Sequence, residues 1–446
     1  MPDWEWPYKL PENWCWVRLY SLAHIISKGT TPKGGKDAYV EKGIRFLRIE
    51  NINEDGSISH ENIKHITEEM HTGFLRRSIL CKDDILISIA GTLGKTGIVG
   101  EADLPLNTNQ AISFVRLIRG NLLPQYIKMS IDNPKTQDML ISQTKVTSIP
   151  NLTLEIIGNC AIPLASLAEQ QRIVDRIESL FAKLNEAKEK AQAVLDSFET
   201  RKAAILHKAF TGELTAKWRE EHGVGMESWE KHLLSTVSSL QTGLMKGKKY
   251  TGKTVELPYL RVANVQDGFL RLDEIKKIDV EENVISRYSL AVGDVLFTES
   301  GDFDKLGRGT VWEGQIKNCL HQNHIFVVRP NPEVLNPYFL SYQAGSRYGK
   351  AYFLSCSKQT TNLASINSTQ LKNFPVLIPS MMEQEVIIRL LDSSLEKEQQ
   401  IKNIAEFVLD QIDLMKKSIL ARAFRGELCT NDPSEESAVE LLKQII

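Results

Sequence analysis

The stretch AILHKAFTGEL (204–214) recurs as SILARAFRGEL (418–428). Shared amphipathic character does not produce Ala-Phe-x-Gly-Glu-Leu twice at one offset. Displacing the chain by 214 residues lays 166–214 over 380–428 without a gap, and 19 of the 49 positions are identical. A repeat of this length makes the chain a tandem duplication, and that decides the architecture.

Upstream the match continues with small shifts. Phe46-Leu47-Arg48-Ile49 and Asn51 fall over Tyr259-Leu260-Arg261-Val262 and Asn264, and Asp84-Ile85-Leu86 over Asp294-Val295-Leu296. Gln110 and Phe114-Val115 are matched with Gln322 and Phe326-Val327, which sets His321 over Asn109 and His324 over Ile112. Trp14 and Trp229 begin the two copies and read as packing anchors. The first 160 residues of each copy are strand-rich. RFLRIEN, DDILISIAG and QAISFVRLI in copy one, and PYLRVANV, GDVLFTESG and NHIFVVRP in copy two, are β-branched or aromatic runs bounded by Gly, Asn and Asp.

The rest of each copy reads as one long helix. Ser166 with Glu169, and Ser380 with Glu383, are S-x-x-E starts, each just after an Ile-Pro. Apolar residues then keep a 4,3 spacing, the seam of a coiled coil. The expected core is Ile173, Ile177, Leu180, Leu184, Val194 and Phe198 in copy one, and Ile387, Leu391, Ile401, Val408, Ile412 and Met415 in copy two. Gly212 and Gly426 supply the stops. A helix of this length spans roughly 65 Å, more than a globular core requires. Two such helices in one chain can pair with each other. The predicted class is α+β: two tandem strand-rich domains of mixed α/β content, separated by two long helices forming an antiparallel coiled coil with an approximate two-fold axis. The expected boundaries are 1–160, a helix over 161–214, a linker over 215–228, a second domain over 229–376, a helix over 377–428, and a tail over 429–446 with a short helix at 434–445.

Composition narrows the function. Of 446 residues, 54 are Lys or Arg and 56 Asp or Glu, giving a net charge of -2. That excludes DNA binding by bulk positive charge, though not by a local basic surface. The N-terminus has no basic region leading into an apolar run, and no stretch approaches the 18 or so apolar residues of a membrane span. The six cysteines are scattered, so a reduced, cytoplasmic chain is expected. No H-E-x-x-H, G-x-S-x-G or G-x-G-x-x-G is present, and Ile89 stands where the first glycine of a phosphate loop would belong in 91–96. Asn336-Pro337 reads as a helix start. His321 and His324 are the nearest histidine pair, without ligand spacing on one helix face, so neither a catalytic nor a metal site is expected.

The ordered pattern resembles the specificity subunits of type I restriction-modification systems. The residues that carry the resemblance are the tandem layout, the Ile-Pro and Glu-Gln lead-in to each helix (162–170, and more shortly 378–384), and the Ala-Phe-x-Gly-Glu-Leu exit. In that family each variable region is a target recognition domain reading one half of a split double-stranded DNA site. The coiled coil sets the gap and binds two adenine-methyltransferase subunits, and a motor-nuclease restriction subunit can join. The resemblance implies a non-catalytic chain that binds no cofactor, with S-adenosylmethionine on the methyltransferase partners and ATP and Mg on the restriction partner. Two other readings remain open at this level. One is a duplicated coiled-coil scaffold for proteins with no DNA role; the other is a detached recognition piece of a single-chain restriction-methylation enzyme.

Base reading needs paired donors and acceptors, and phosphate anchoring needs cations and hydroxyls. Copy one offers Lys33, Lys36, Asn51, Asn53, Ser88, Thr92, Lys95, Asn107, Asn109, Lys145 and Thr147. Copy two offers Lys246, Lys248, Lys249, Asn264, Gln266, Ser300, Lys305, Arg308, Gln322, Asn323, Lys358, Gln359 and Thr360. Asp84 and Asp294, like Gln110 and Gln322, recur unchanged in both copies, so a shared role in fold maintenance is expected of both pairs and not discrimination between different bases.

Overall fold

The computed structural model describes residues 6–118, 120–144, 150–245, 252–301, 307, 309–359 and 364–445. The chain divides into two units, Met1–Ala191 with Phe407–Ile446, and Gln192–Glu406.

In the first unit, β1 (Ala23–Lys28), β2 (Ile85–Ser88), β3 (Thr96–Ile98) and β4 (Ile112–Leu117) form an antiparallel sheet in the order β1-β4-β2-β3. Every residue of β2 is buried, which explains its unbroken apolar run. Beside it, Ile44–Leu47 pairs antiparallel with Lys64–Ile66 and parallel with Leu106–Thr108. The second unit repeats both sheets. Its β5 (Ser238–Thr242), β6 (Val295–Thr298), β7 (Gly309–Val311) and β8 (Ile325–Pro330) run in the order β5-β8-β6-β7, and Thr254–Leu260 lies between Lys276–Glu281 and Leu320–His321.

The recurring aspartates hold this framework. Fully buried Asp84 accepts a forked pair from Arg116 at 2.8 and 2.7 Å, and Asp294 one from Arg329 at 2.6 and 2.8 Å. Strand register also corrects the sequence alignment by one residue. Ile85 lies opposite Val115 and Val295 opposite Val328, so the counterpart of Gln322 is Asn109, not Gln110. Loop lengths differ between the copies, and only strand pairing fixes the offset.

Each domain is clasped at its ends by two strands, Cys15–Arg18 with Ala161–Leu164 and Glu230–Leu233 with Pro375–Ile378. The clasps deliver the chain to the long helices, α1 (Leu167–Asp196), α2 (Phe198–Phe210) and α3 (Met381–Ala423). The first helix, expected to be continuous, is interrupted at Ser197. Its hydroxyl donates to the carbonyls of Ala193 at 2.7 Å and Val194 at 3.2 Å, a competing bond that bends helices. Gly212 and Gly426 stop the helices with φ of 82° and 74°.

Both S-x-x-E starts form only half of a capping box. Ser166 Oγ accepts from Glu169 N at 3.2 Å and Ser380 Oγ from Glu383 N at 3.3 Å. The two carboxylates turn inward instead. Trp14 Nε1 donates to Glu169 at 2.8 Å and Trp229 Nε1 to Glu383 at 3.1 Å, confirming both tryptophans as anchors.

Within each unit the helical segments run antiparallel. In the first, Arg172 reaches Thr430 O and Lys416 reaches Asn185. In the second, Thr215 reaches Glu383 and Arg201 reaches Glu398. Ile173, Ile177, Ile387, Leu391 and Ile412 are buried in the seam, with Leu180, Leu184, Val194, Phe198 and Val408 half-buried. Ile401 and Met415 are not core residues, being 44% and 49% exposed. Their expected places belong to the next residue along. Lys402 lays its ammonium over the Phe198 ring at 4.9 Å, and Lys416 over Phe181 at 5.5 Å. Lysine stems cover apolar surface without registering in an apolar pattern.

The linker and the tail are both structured. Ala216–Glu221 is helical, and its buried Arg219 donates to Glu383 at 2.7 Å. The tail helix α4 (Ala438–Ile445) starts four residues later than expected, because Ser434 N and Oγ both bond Asp432 in a turn. Ahead of it, Asn431 Nδ2 donates to Glu169 at 3.0 Å.

The two buried carboxylates therefore differ in charge balance. Glu383 has Arg219, whereas Glu169 Oε1 has no partner among the described residues, and burial holds its carboxyl above the ordinary range. A raised native pKa means that ionised Glu169 opposes folding at neutral pH and ceases to as pH falls. Glu169→Gln is expected to stay within about 1 kcal/mol of the parent at pH 7, any gain shrinking toward acid pH. Glu383→Gln strands buried Arg219 and is expected to cost about 3–5 kcal/mol in denaturant unfolding of the full chain.

Candidate nucleic-acid interface

One edge of each main sheet gathers the turns that carry polar side chains. In the first domain the end of β1 meets the turn before β4: Gly29 N donates to Ile112 O at 2.9 Å and Thr30 N to Thr108 O at 3.1 Å. The segment after β2 joins them, with Ile89 N donating to Ala111 O at 2.8 Å and Leu152 N to Ile89 O at 3.1 Å. The second domain repeats three of these four bonds. Leu244 N donates to His321 O at 2.9 Å, Glu299 N to His324 O at 3.0 Å and Ile366 N to Glu299 O at 2.9 Å.

A glycine makes each crossing possible. A Cβ on Gly29 would sit 2.0 Å from Asn109 O, and one on Gly243 2.2 Å from His321 O. Only a residue without a side chain lets the two backbones approach this closely.

The expected DNA residues divide into four groups. Asn109, Gln322 and Asn323 lie on the turn itself, and Thr92 is exposed on the loop after β2. Lys358 is exposed on a short strand, Lys358–Gln359, paired with Ala364–Ser365, which also pairs with Ser300–Gly301. Lys33 is exposed, with its ammonium 5.2 Å from the exposed Phe74 ring. A second group lies elsewhere. Lys95 and Asn53 line a groove of about 990 Å3 beside α1 and α3, together with Lys128, Asn185 and Lys416. Gln266 is half-buried and donates to Ala263 O at 2.9 Å.

The third group is interior and is corrected to framework. Asn51 and Asn264 are 2% and 3% exposed, and accept from Arg48 N and Arg261 N at 3.1 and 2.8 Å. Ser88 Oγ accepts from Lys95 N at 2.8 Å, and Asn107 bonds His71 and Leu75 O. These side chains cannot meet a base edge without opening the domain. The fourth group, Lys145, Thr147, Lys246, Lys248, Lys249, Lys305, Arg308 and Thr360, lies outside the described residues, as do the side chains of Lys36, Ser300 and Gln359.

Sequence reasoning missed three side chains at this edge. Glu299 and His324 hydrogen-bond each other, and Arg287 lines the same cleft. The one-residue misalignment placed His324 over Ile112 and hid its true counterpart, Ala111. His321 is interior: its Nδ1 lies 3.1 Å from Tyr288 O, and burial pushes its imidazole down to about 4.

The same framework twice, with unlike side chains at the turn, is matched by comparison with known proteins. The family model for the type I restriction modification DNA specificity domain matches residues 11–195 and again 226–406. The chain belongs to this family. The EcoKI specificity subunit of Escherichia coli K12 is 24% identical over 98% of this chain and 96% of its own length. The StySPI specificity subunit of Salmonella potsdam is likewise 24% identical, over the same shares. The crystal structure of the HsdS subunit from Thermoanaerobacter tengcongensis shares the fold, with a TM-score of 0.62 at 20% identity over 95% of this chain and all of its own. A chain solved in a study of complex assembly and conformational transition of the type I R-M system gives a TM-score of 0.67 at 20% identity, with the same coverage.

In this specificity-domain chain the glycine crossings are a strict local constraint. Gly29→Ala and Gly243→Ala are each expected to destabilise their own unit by about 1–3 kcal/mol. Hydrogen exchange should show faster opening of the 108–112 turn in the first case and the 321–325 turn in the second.

Proposed function

We propose that this chain is the DNA-recognition subunit of a type I restriction-modification complex, each domain reading one half of a bipartite, asymmetric site in double-stranded DNA. The observation that carries the reading is the strand-end turn, held by three equivalent backbone bonds in both domains. Asn109, Gln110 and Ala111 occupy it in one, and Gln322, Asn323 and His324 in the other. A shared scaffold with different polar side chains suits two readers of unlike sequences.

The long helices set the distance between the half-sites. At 43 residues α3 measures about 65 Å, against 34–36 Å for one turn of B-DNA. They also dock the two adenine-methyltransferase subunits and the restriction subunits. α3 presents apolar side chains that no neighbour in their own unit covers: Ile401 and Ile404 (62% exposed) in the second unit, and Phe407 (62%), Leu414 (56%) and Met415 in the first. Exposed apolar residues at this density mark a protein interface. In this reading the chain is not itself an enzyme. S-adenosylmethionine belongs to the methyltransferase subunits, and ATP and Mg to the restriction subunit. No described helix is long and apolar enough to cross a membrane, and the role places the chain in the cytoplasm with its DNA.

Exchanging residues 1–160 for those of a relative with a different site should change one half of the methylated motif and leave the other half and the spacer intact. A change in both halves, or in neither, contradicts the reading. Replacing Phe407 and Leu414 together by Glu should abolish copurification of the methyltransferase subunits while the unfolding midpoint of the isolated chain stays unchanged.

A further inference from the structure

The strand-end turns differ most at one backbone-equivalent pair of positions. In the first domain the pair is Ile89, 5% exposed, and Ala111. In the second it is Glu299 and His324, whose side chains are 33% and 49% exposed and hydrogen-bonded through Glu299 Oε2 and His324 Nδ1. The backbone does not require a charged pair here, because an apolar one occupies the same place in the sister domain. The pair lines a cleft of about 650 Å3 together with Thr242, Arg287, Asn323 and Asn367.

The geometry points to Glu299 as a base-reading residue of the second recognition domain, with His324 as the positioning residue that aims it. This rests on the DNA-reading role proposed above. A carboxylate is repelled by the phosphate backbone, so its place on a DNA-facing turn is explained by a base edge and not by phosphate anchoring. It is an acceptor only, and the group it recognises in the major groove is the exocyclic amino group of cytosine, N4. His324 engages one carboxylate oxygen, Oε2, and so restricts the rotamers of Glu299. Arg287 supplies a cation in the same cleft, suited to a neighbouring phosphate. The first domain, with Ile89 and Ala111 at these positions, reads its half-site without such an acceptor.

The test uses the full chain coexpressed with its methyltransferase subunits, and modification-sensitive sequencing of the DNA they methylate. The variants are Glu299→Gln, His324→Ala, and Glu299→Ile combined with His324→Ala, the last copying the pair that the sister domain already accommodates. All three should leave the unfolding midpoint unchanged. They should relax a single cytosine position in the half-site that exchange of 1–160 does not alter, with methylation of sites bearing other bases there rising roughly tenfold or more. An unchanged motif in the variants, with the parent still directing a bipartite motif, overturns this assignment and leaves the DNA-reading role standing. Uniform loss of methylation at all sites with the midpoint preserved also overturns it. A parent chain that directs no motif overturns both.

Discussion

In each half of the chain a carboxylate from the first turn of a long helix is buried against the indole N–H of the tryptophan that begins the recognition domain. Trp14 stands 2.8 Å from Glu169 and Trp229 3.1 Å from Glu383. A buried carboxylate is costly unless every side of it is satisfied, so each site collects further donors. Asn431 comes from the tail in the first, and Thr215 and Arg219 from the linker in the second. Each of these groups lies more than 150 residues from its carboxylate in sequence, and the carboxylate is where they meet. The linker and the tail thus play equivalent parts, since each follows a long helix and closes on the start of the other.

Fixing the domain to its helix at this point lets the remainder of each unit divide its duties. Strand pairing, the Asp–Arg forks and the capping asparagines Asn51 and Asn264 are alike in the two copies and hold the backbone. The turns at the strand ends are alike in backbone and unlike in side chain. An invariant frame carrying a variable edge is what a duplicated recognition protein needs, because the site can change without disturbing the fold.

Much of this was legible in the sequence. The duplication, the strand runs, both helix starts and both glycine stops follow from local chemistry and periodicity, and so does the framework role of Asp84 and Asp294. The seam at Ile401 and Met415 was misplaced because Lys402 and Lys416 do apolar work with their stems, which a hydrophobic pattern does not record. The break at Ser197 depends on a hydroxyl choosing its own helix carbonyls, a competition that composition leaves undecided. At the site, polar type alone did not separate residues of the exposed turn from framework. Asn107 and Asn109 are two residues apart, yet the first is buried in a bonding network and the second lies on the turn. Glu299 was passed over, and His324 weighed only as a metal ligand, because their equivalence to Ile89 and Ala111 exists in backbone hydrogen bonds and not in aligned letters.

If this chain, through two unlike domains, chooses where its partners act on DNA, then host DNA carries the record of that choice. Modification-sensitive sequencing with the chain present and deleted reads it. The expected result is one adenine-methylated motif with two unlike halves and a fixed gap, present with the chain and absent without it. A methylation pattern unaltered by the deletion would contradict the recognition role.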